Sequence, residues 1–278
     1  VGGLRGNGLK PLLKAPTKLL RAVWKATRVF SAVNADAVIG LGGYVTGPGG
    51  LAARLSGLPL YIHEQNAIAG FTNKALSKFA TQVLQAFPDA FDACEKVTWV
   101  GNPVRDEIAT LAQPSARYGA RRGALRVLVM GGSLGAVALN ELVPAAFAEL
   151  PAAQRPIIRH QAGRKHADKA AAVYTKLGVQ AEILPFIDDM AAVYDWADLV
   201  ICRSGALTVS EIAAAGVASI LIPFPHAVDD HQTANARFLS DIGAARLFQQ
   251  RDLTPAAFAV TLAELLDRKT LQIMAEKA

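Results

Sequence analysis

The chain has 278 residues, of which 52% are hydrophobic and 19% charged, and its formal net charge is +6. This length allows two domains, and the composition is typical of a globular chain with a sizeable core. A membrane span is excluded, because no apolar run approaches the roughly 18 residues that a bilayer requires. A disulfide scaffold is also excluded, because the only cysteines are Cys94 and Cys202, and so few favour a reducing, cytoplasmic compartment.

The first predicted element is a basic helix over residues 11–33. Five cations at helical spacing share one face: Lys14, Lys18, Arg21, Lys25 and Arg28. Leu20 and Trp24 lie among the apolar residues beside this stripe, a combination typical of a helix that lies on an anionic membrane surface. An ordinary amphipathic helix packed on a core is the alternative. Nucleic-acid binding is less favoured, because no recognisable binding fold accompanies the charges.

Alternating strands and helices follow in a first lobe, predicted at residues 1–105. A strand at 37–41 enters a glycine-rich loop at 40–50. The next predicted elements are helices at 48–56 and 72–79 and strands at 59–63, 82–86 and 97–100. The lobe opens on a helix, whereas a doubly wound domain begins with a strand and a phosphate loop, so we expect its first strands to be missing. Residues 112–123 lack apolar periodicity and predict a linker.

The second lobe, predicted at residues 106–278, alternates more regularly. Its predicted strands lie at 126–130, 156–160, 181–184, 199–202, 219–222 and 245–248. Its predicted helices lie at 137–150, 165–177, 190–196, 206–215, 232–241 and 254–266. This order predicts a parallel, doubly wound sheet. The sequence ends in the middle of the pattern, at residues 273–278, so we expect a last helix to be missing. The excess positive charge lies in the first lobe, which carries 12 Lys and Arg against 5 Asp and Glu.

Three segments at strand ends are candidate ligand sites. The glycine loop at 131–136, with Ser133, and the segment 203–211 each place backbone N–H groups at a helix start, where phosphates bind. Glu211 could accept both hydroxyls of a ribose, or could merely favour the helix dipole by ~0.3–1 kcal/mol. Polar residues 63–66 end a first-lobe strand, where open sheets bind ligands, although a solvated loop would look the same. We predict no metal and no other cofactor, because no common ligand spacing is present.

Five motifs in a fixed order resemble one known family. They are Gly-Gly-Tyr-Val-Thr-Gly-Pro-Gly-Gly at 42–50, His-Glu-Gln-Asn at 63–66, Gly-Asn-Pro-Val-Arg at 101–105, Phe-Ile-Asp-Asp-Met at 186–190 and Arg-Ser-Gly-Ala-Leu-Thr-Val-Ser-Glu at 203–211. Together they are similar to the MurG family of peptidoglycan N-acetylglucosaminyltransferases, over nearly the whole chain. The resemblance implies the GT-B fold of two Rossmann-like lobes, with the sugar nucleotide mostly on the second. It implies no cofactor.

The resemblance also implies residue roles. Ser133 and the start of the helix at Ala206, Leu207, Thr208, Val209 and Ser210 would hold the diphosphate of UDP-N-acetylglucosamine. Ile187 would meet the uracil through its backbone, Glu211 would bind the ribose, and Asn66, Arg105 and Gln232 would contact the donor. Tyr44, His63 and Glu64 would lie on the acceptor side. The membrane-facing residues would be Lys14, Lys18, Leu20, Arg21, Trp24 and Lys25, on the cytoplasmic face of the plasma membrane.

The implied reaction is an inverting transfer of N-acetylglucosamine to the 4-hydroxyl of lipid I, forming lipid II. Helix N-termini would stabilise the leaving diphosphate in place of a metal. Glu64 and His63 are the candidate bases in this chain, beside a histidine of the family's opening Gly-Gly-Thr-Gly-Gly-His loop, which this sequence does not contain. The expected partners are the sugar nucleotide, lipid I, an anionic membrane and a cell-wall synthesis complex. The alternatives are a non-hydrolysing UDP-sugar epimerase and an inert membrane-associated scaffold of the same fold.

Overall fold

The computed structural model of the chain describes residues 15–132, 135–225 and 227–278. The chain divides into two compact units, with the division between Asn102 and Pro103. Each unit has its own parallel sheet. In the part of the chain that the structure describes, no helix is both long enough and apolar enough to cross a membrane.

The first unit is a parallel sheet covered by helices. Its elements are α1 (Ala15–Ala32), β1 (Val38–Gly40), α2 (Gly43–Leu55), β2 (Leu60–Glu64), α3 (Phe71–Ser77), β3 (Gln82–Gln85) and β4 (Val97–Trp99). The strands pair in chain order, β1-β2-β3-β4, within the described residues. Its small core joins Ile62 and Val83 of the sheet to Ala53 and Leu76 of the helices. Residues 11–14 of the predicted first helix lie outside the described residues.

The prediction of a glycine-rich loop at 40–50 is wrong for most of this range, because residues 43–50 are part of helix α2. After Gly42, whose φ is +85°, the chain turns directly into α2 at Gly43, whose φ is +75°. These two positions favour glycine because a Cβ disfavours a positive φ. Gly50 has a different role, because a Cβ there would lie 2.6 Å from Leu76 Cδ1. The glycines therefore provide one turn and a close contact between α2 and α3.

The second unit contains a six-stranded sheet in the described residues. Its strands are β5 (Arg126–Met130), β6 (Ile157–Gln161), β7 (Glu182–Leu184), β8 (Leu199–Cys202), β9 (Ala218–Leu221) and β10 (Ala245–Leu247). Its helices are α4 (Asp106–Ala109), α5 (Pro114–Ala120), α6 (Val137–Glu149), α7 (Ala167–Lys176), α8 (Met190–Trp196), α9 (Ala206–Ala215), α10 (His231–Ser240), α11 (Pro255–Leu265) and α12 (Arg268–Lys277).

The strand order β10-β9-β8-β5-β6-β7 is that of a doubly wound dinucleotide-type fold. Leu128 and Val200 in the central strands are fully buried, as are Leu139 of α6 and Phe258 of α11 on the covering helices. The strand order reverses between β5 and β8, and ligands bind such sheets outside the carboxyl ends of the strands at that point. The prediction of a parallel, doubly wound second lobe is confirmed.

The predicted linker at 112–123 is also wrong, because residues Pro114–Ala120 form helix α5. Arg117 and Tyr118 of this helix are buried, as is Arg121 directly after it. Arg117 donates to the carbonyls of Tyr194 (3.2 Å) and Gly216 (2.6 Å) and to that of Ala215. Tyr118 donates to the Asp198 carbonyl at 2.6 Å. Arg121 pairs with the Asp198 carboxylate at 2.8 Å. Hydrogen bonding, not apolar periodicity, fixes this helix.

Candidate functional site

A cavity of about 330 Å³ opens in the second unit at the carboxyl end of its sheet. Met130 and Cys202, the last residues of β5 and β8, line it on either side of the strand-order reversal. Gln161 at the end of β6 and Thr208 and Glu211 of α9 also line it. Its volume is at the lower end of the range for small-molecule sites.

Glu211 is the central polar group of this cavity. Its side chain is 17% exposed, and its Oε1 accepts a 2.8 Å hydrogen bond from Arg105 Nη2. Its Oε2 accepts a 3.1 Å hydrogen bond from the hydroxyl of Tyr194. Each carboxylate oxygen has two acceptor positions, so both retain capacity for a ligand donor.

Tyr194 is fully buried on α8. Burial, and then the nearby negative charge of Glu211, raise the pKa of Tyr194 well above its usual value. The phenol therefore stays protonated and acts as a permanent donor to the carboxylate. Arg105, in contrast, is 52% exposed.

The N-terminus of α9 has no side-chain cap among the described residues. Gly205 precedes the helix and provides no side-chain cap, so the N–H groups of the first turn are left for another acceptor. The Ser204 hydroxyl beside it is buried and, within the described residues, has no hydrogen-bond partner. A phosphate oxygen is the acceptor type that such helix starts bind in other proteins.

Residues 186–188, between β7 and α8, form another wall of the cavity. Ile187 is 7% exposed, and Arg164 stacks over the Phe186 ring with its Cζ 5.1 Å from the centroid. Asp189 caps α8 by accepting from Ala192 N at 2.9 Å. The cap and the stacked ring fix the backbone of this segment against the cavity.

The glycine loop after β5 is packed too tightly for larger residues. A Cβ at Gly131 would collide with the Ala136 nitrogen, and one at Gly135 would collide with the Ala162 carbonyl. Gly132 lines the cavity. Ser133, predicted to hold the diphosphate, lies outside the described residues.

A buried polar chain supports this loop from behind. Asn140 Nδ2 donates to the Ala162 carbonyl at 3.0 Å, so its Oδ1 accepts from His160 Nε2 at 3.0 Å. The Tyr174 hydroxyl then donates to His160 Nδ1 at 2.9 Å. Burial lowers the pKa of His160 to about 4, so this imidazole is neutral near pH 7.

The predicted acceptor residues of the first unit form a saturated loop network. His63 Nε2 donates to the Gly101 carbonyl at 3.0 Å, which leaves its Nδ1 to accept from Gln65 Nε2 at 3.0 Å. Glu64 is 3% exposed. It accepts from the backbone N–H groups of Asn66 (3.1 Å) and Gly70 (3.0 Å) and from the Asn73 amide (2.8 Å).

The remaining predicted site residues differ in their placement. Arg105, Ile187, Thr208 and Glu211 are brought together around the cavity, whereas Ala206, Leu207, Val209, Ser210 and Gln232 are not among its lining residues. The Gln232 Oε1 accepts from Phe224 N at 2.9 Å and ties the preceding loop to α10. Tyr44 is 56% exposed in the first turn of α2, in the first unit.

Sequence reasoning missed Tyr194 and left Arg203 without a role. Arg203 lines the cavity and donates to the carbonyls of Ile222 (3.1 Å) and Pro223 (2.9 Å). Its position directly after β8 was a usable signal, because strand ends form the site. Tyr194 gave no signal, because it lies in a predicted helix whose buried face a tyrosine fits equally well.

The exposed face of α1 carries both cations and large apolar residues. Leu20 is 69% and Trp24 55% exposed, and Arg28 stacks on Trp24 with its Cζ 4.7 Å from the ring centroid. Lys18, Arg21 and Lys25 are exposed beside them, and Lys14 lies outside the described residues. Val23 is buried, Phe30 packs against the core of the first unit, and the helix packs against α2.

Comparisons with known proteins agree over the whole chain. Residues 1–85 match the glycosyltransferase family 28 N-terminal domain and residues 126–278 the corresponding C-terminal domain. The UDP-N-acetylglucosamine–N-acetylmuramyl-(pentapeptide) pyrophosphoryl-undecaprenol N-acetylglucosamine transferase of Chromohalobacter salexigens is 57% identical, covering 100% of this chain and 76% of that protein. The enzyme of the same name from Cupriavidus pinatubonensis is 56% identical, covering 100% and 77%. The crystal structure of Acinetobacter baumannii MurG aligns with a TM-score of 0.85 at 46% identity, covering 100% and 78%.

Proposed function

We propose a reaction for this chain that follows from its family. The chain belongs to glycosyltransferase family 28, and within it to the MurG enzymes of GT-B fold. The proposed reaction transfers N-acetylglucosamine from UDP-N-acetylglucosamine to lipid I. The product is lipid II, formed with inversion at the anomeric carbon as the 4-hydroxyl of the muramyl sugar displaces UDP. The observation that carries the assignment is the 54–57% identity to transferases of this name along the whole chain. That identity does not favour the epimerase or the scaffold alternative.

We propose that the second unit binds the sugar nucleotide in the cavity beside Glu211. The carboxylate accepts the ribose hydroxyls, the backbone at Ile187 meets the uracil, and the open N-terminus of α9 receives the diphosphate. Negative charge grows on that diphosphate as the glycosidic bond breaks, and a helix N-terminus is positioned to stabilise it. Ser133 would add its hydroxyl there.

Arg105 connects ribose binding to the phosphates. In the structure it neutralises Glu211 at 2.8 Å, yet half of its side chain is exposed. When ribose hydroxyls satisfy the carboxylate, the guanidinium is released to pair with the donor's diphosphate, a geometry that arginine favours. Asn66 and Gln232 remain proposed donor contacts, and Tyr44 a proposed acceptor contact.

Of the two proposed bases, His63 is the better candidate. Both Glu64 oxygens accept hydrogen bonds from the loop that follows β2, and this carboxylate is better suited to ordering the loop. In the described part of the chain, His63 Nδ1 accepts from the side-chain amide of Gln65, which a side-chain rotation would release. A neutral imidazole nitrogen can take the proton from the acceptor hydroxyl.

We propose that the exposed face of α1 holds the enzyme on the cytoplasmic face of the plasma membrane. Lys18, Arg21 and Lys25 would meet anionic head groups, and Leu20 and Trp24 would enter the interface. The double variant Lys18→Ser/Lys25→Ser should bind anionic vesicles roughly 30-fold more weakly, at ~1 kcal/mol per cation. The matched control removes the exposed Lys74 and Lys78 of the same unit and should bind as the wild type does.

The function is tested by calorimetry and transfer together. UDP-N-acetylglucosamine should bind and a GDP-sugar should not, and lipid II should form only when lipid I is supplied. Glu211→Ala should weaken donor binding roughly 10- to 100-fold, the value of hydrogen bonds to a charged group. Glu182→Ala removes a carboxylate outside the cavity and is the control. An unchanged donor affinity in Glu211→Ala would show that the ribose assignment is wrong.

A further inference from the structure

We propose that Tyr194 is a positioning residue that makes the donor site selective for ribonucleotides, by fixing the Glu211 carboxylate in the orientation that accepts the ribose 2′- and 3′-hydroxyls. The inference rests on the proposed function, in which Glu211 binds the ribose. Tyr194 also lines the cavity, but its proposed role is exerted through the carboxylate and needs no contact between the hydroxyl and the substrate. Its predicted effect is a preference for ribose over 2′-deoxyribose.

The two partners of Glu211 differ in how firmly they are held. Tyr194 is 0% exposed, and its hydroxyl lies 3.1 Å from Oε2. Arg105 reaches Oε1 at 2.8 Å from a side chain that is 52% exposed. A long, half-exposed side chain can leave the carboxylate when a ligand arrives, whereas a phenol enclosed by the core cannot. Tyr194 is therefore the fixed anchor of this carboxylate and Arg105 the exchangeable partner.

A fixed carboxylate is what discrimination between two sugars requires. A glutamate on a helix surface samples several rotamers, and a mobile carboxylate could turn away when one ribose hydroxyl is absent. The Tyr194 hydroxyl occupies one acceptor position of Oε2, so the other positions keep a set direction. A 2′-deoxy sugar then leaves one of them without its donor, and sites built to bind a hydroxyl reject analogues that lack it.

The helix that carries Tyr194 is itself tied to the helix that carries Glu211. Arg117 donates to the Tyr194 carbonyl near the end of α8 and to the Gly216 carbonyl just after α9, at 3.2 Å and 2.6 Å. Arg117 is 6% exposed. One buried guanidinium thus sets the spacing of the phenol and the carboxylate, which makes the hydroxyl a reliable reference point for Glu211.

The test is Tyr194→Phe, which keeps the ring and removes only the hydroxyl. The kcat/KM for UDP-N-acetylglucosamine divided by that for its 2′-deoxyuridine analogue should fall about tenfold, since one hydrogen bond to a charged group is lost. The fall should come from a higher KM for the ribose substrate, with kcat nearly unchanged. Turnover of the 2′-deoxy substrate should barely change.

Two further variants separate a specific role from a structural one. Tyr174→Phe removes another buried tyrosine hydroxyl, bonded to His160 outside the cavity lining, and should leave the ribose preference unchanged. Glu211→Ala should abolish the preference, and adding Tyr194→Phe to it should change nothing further, because the phenol acts through the carboxylate.

Each result has a distinct meaning. A preference retained in Tyr194→Phe but lost in Glu211→Ala would overturn the role of Tyr194 and leave the proposed function intact. A preference retained in Glu211→Ala would overturn the ribose assignment itself. An equal loss in Tyr174→Phe, or a further loss in the double variant, would show that Tyr194 acts through general packing.

Discussion

Two carboxylates, one in each unit, occupy similar positions near strand ends but differ in their hydrogen-bond partners and exposure. Glu64 stands at the end of β2 and Glu211 in the second turn of α9, and both lie beside a strand's carboxyl end. Glu64 is 3% exposed and accepts from backbone N–H groups of the loop that follows it and from the Asn73 side chain of α3. Glu211 is 17% exposed, accepts from the Tyr194 phenol and the half-exposed Arg105 guanidinium, and lines a cavity.

The contrast shows that saturation by neighbours decides what a carboxylate can do. Glu64 accepts hydrogen bonds from the backbone around it, so these bonds stabilise the loop at residues 64–70. Glu211 has acceptor positions left for a ligand, so it can form further hydrogen bonds when a ligand supplies donors. Removing the first should therefore cost stability, and removing the second should cost binding.

Glu64→Ala should have the largest effect on folding. The N–H groups of Asn66 and Gly70 and the buried Asn73 amide would lose their charged acceptor, and we expect the free energy of unfolding to fall by roughly 4–5 kcal/mol, the sum of three such hydrogen bonds. Urea denaturation followed by circular dichroism measures it. Glu95→Ala, a carboxylate on the surface of the same unit, is the control and should change it little. A loss below 1 kcal/mol would show that water replaces the carboxylate.

Arg117→Met should have the next largest effect on folding, since Arg117 is a buried charge of the second unit whose hydrogen bonds hold neighbouring backbone. The substitution keeps much of the side-chain volume but leaves the carbonyls of Tyr194, Ala215 and Gly216 without their donor. We expect a loss of roughly 3–4 kcal/mol, read as a lower midpoint in urea. Arg122→Met, an exposed neighbour on the same segment, is the control, and equal losses in both would contradict the role of the buried network.

The same contrast explains what the sequence could predict. Apolar runs and glycines locate the central strands of the second unit closely, because β5 and β8 are buried and consist almost entirely of apolar residues. The predicted strand at 199–202 coincides with β8. Helix α5 was missed because polar hydrogen bonds from Arg117 and Arg121 hold it, and these leave no periodic signal.

The site divides in the same way. Glu211 and Arg105 could be predicted, because strand ends and motif resemblance point to them, and the structure joins them by a salt bridge. Tyr194 is 17 residues before Glu211 in the chain, and nothing in the sequence relates the two. Their contact arises where α8 packs against α9, so Tyr194 could be identified as a partner of Glu211 only from the three-dimensional structure.

Acidification should produce a smaller, graded effect through His160. Burial lowers its pKa to about 4, from a usual value of 6.5. Below pH 6.5 the unfolded chain binds a proton that the folded chain refuses, so stability is full above this pH and is lost as pH falls toward 4. The loss should total roughly 3 kcal/mol, with a slope of at most ~1.4 kcal/mol per pH unit.

Urea titrations between pH 7 and pH 4 measure this slope. His160→Gln removes the titrating group, and its stability, although lower at pH 7, should depend less on pH by the same amount. An identical slope in the variant would place the linkage on other groups. His231→Gln is the control on a half-exposed histidine and should retain the slope of the wild type.

Glu211→Ala should change stability least, by about 1 kcal/mol, despite its large expected effect on donor binding. Arg105 would return to water, and the Tyr194 hydroxyl would face a cavity open to solvent, so neither partner is left without a hydrogen bond. The wild type should gain stability from saturating donor through binding to the folded state, and this gain should shrink in the variant. A loss as large as that of Glu64→Ala would mean that Glu211 is also a structural carboxylate and that the two units do not differ in this respect.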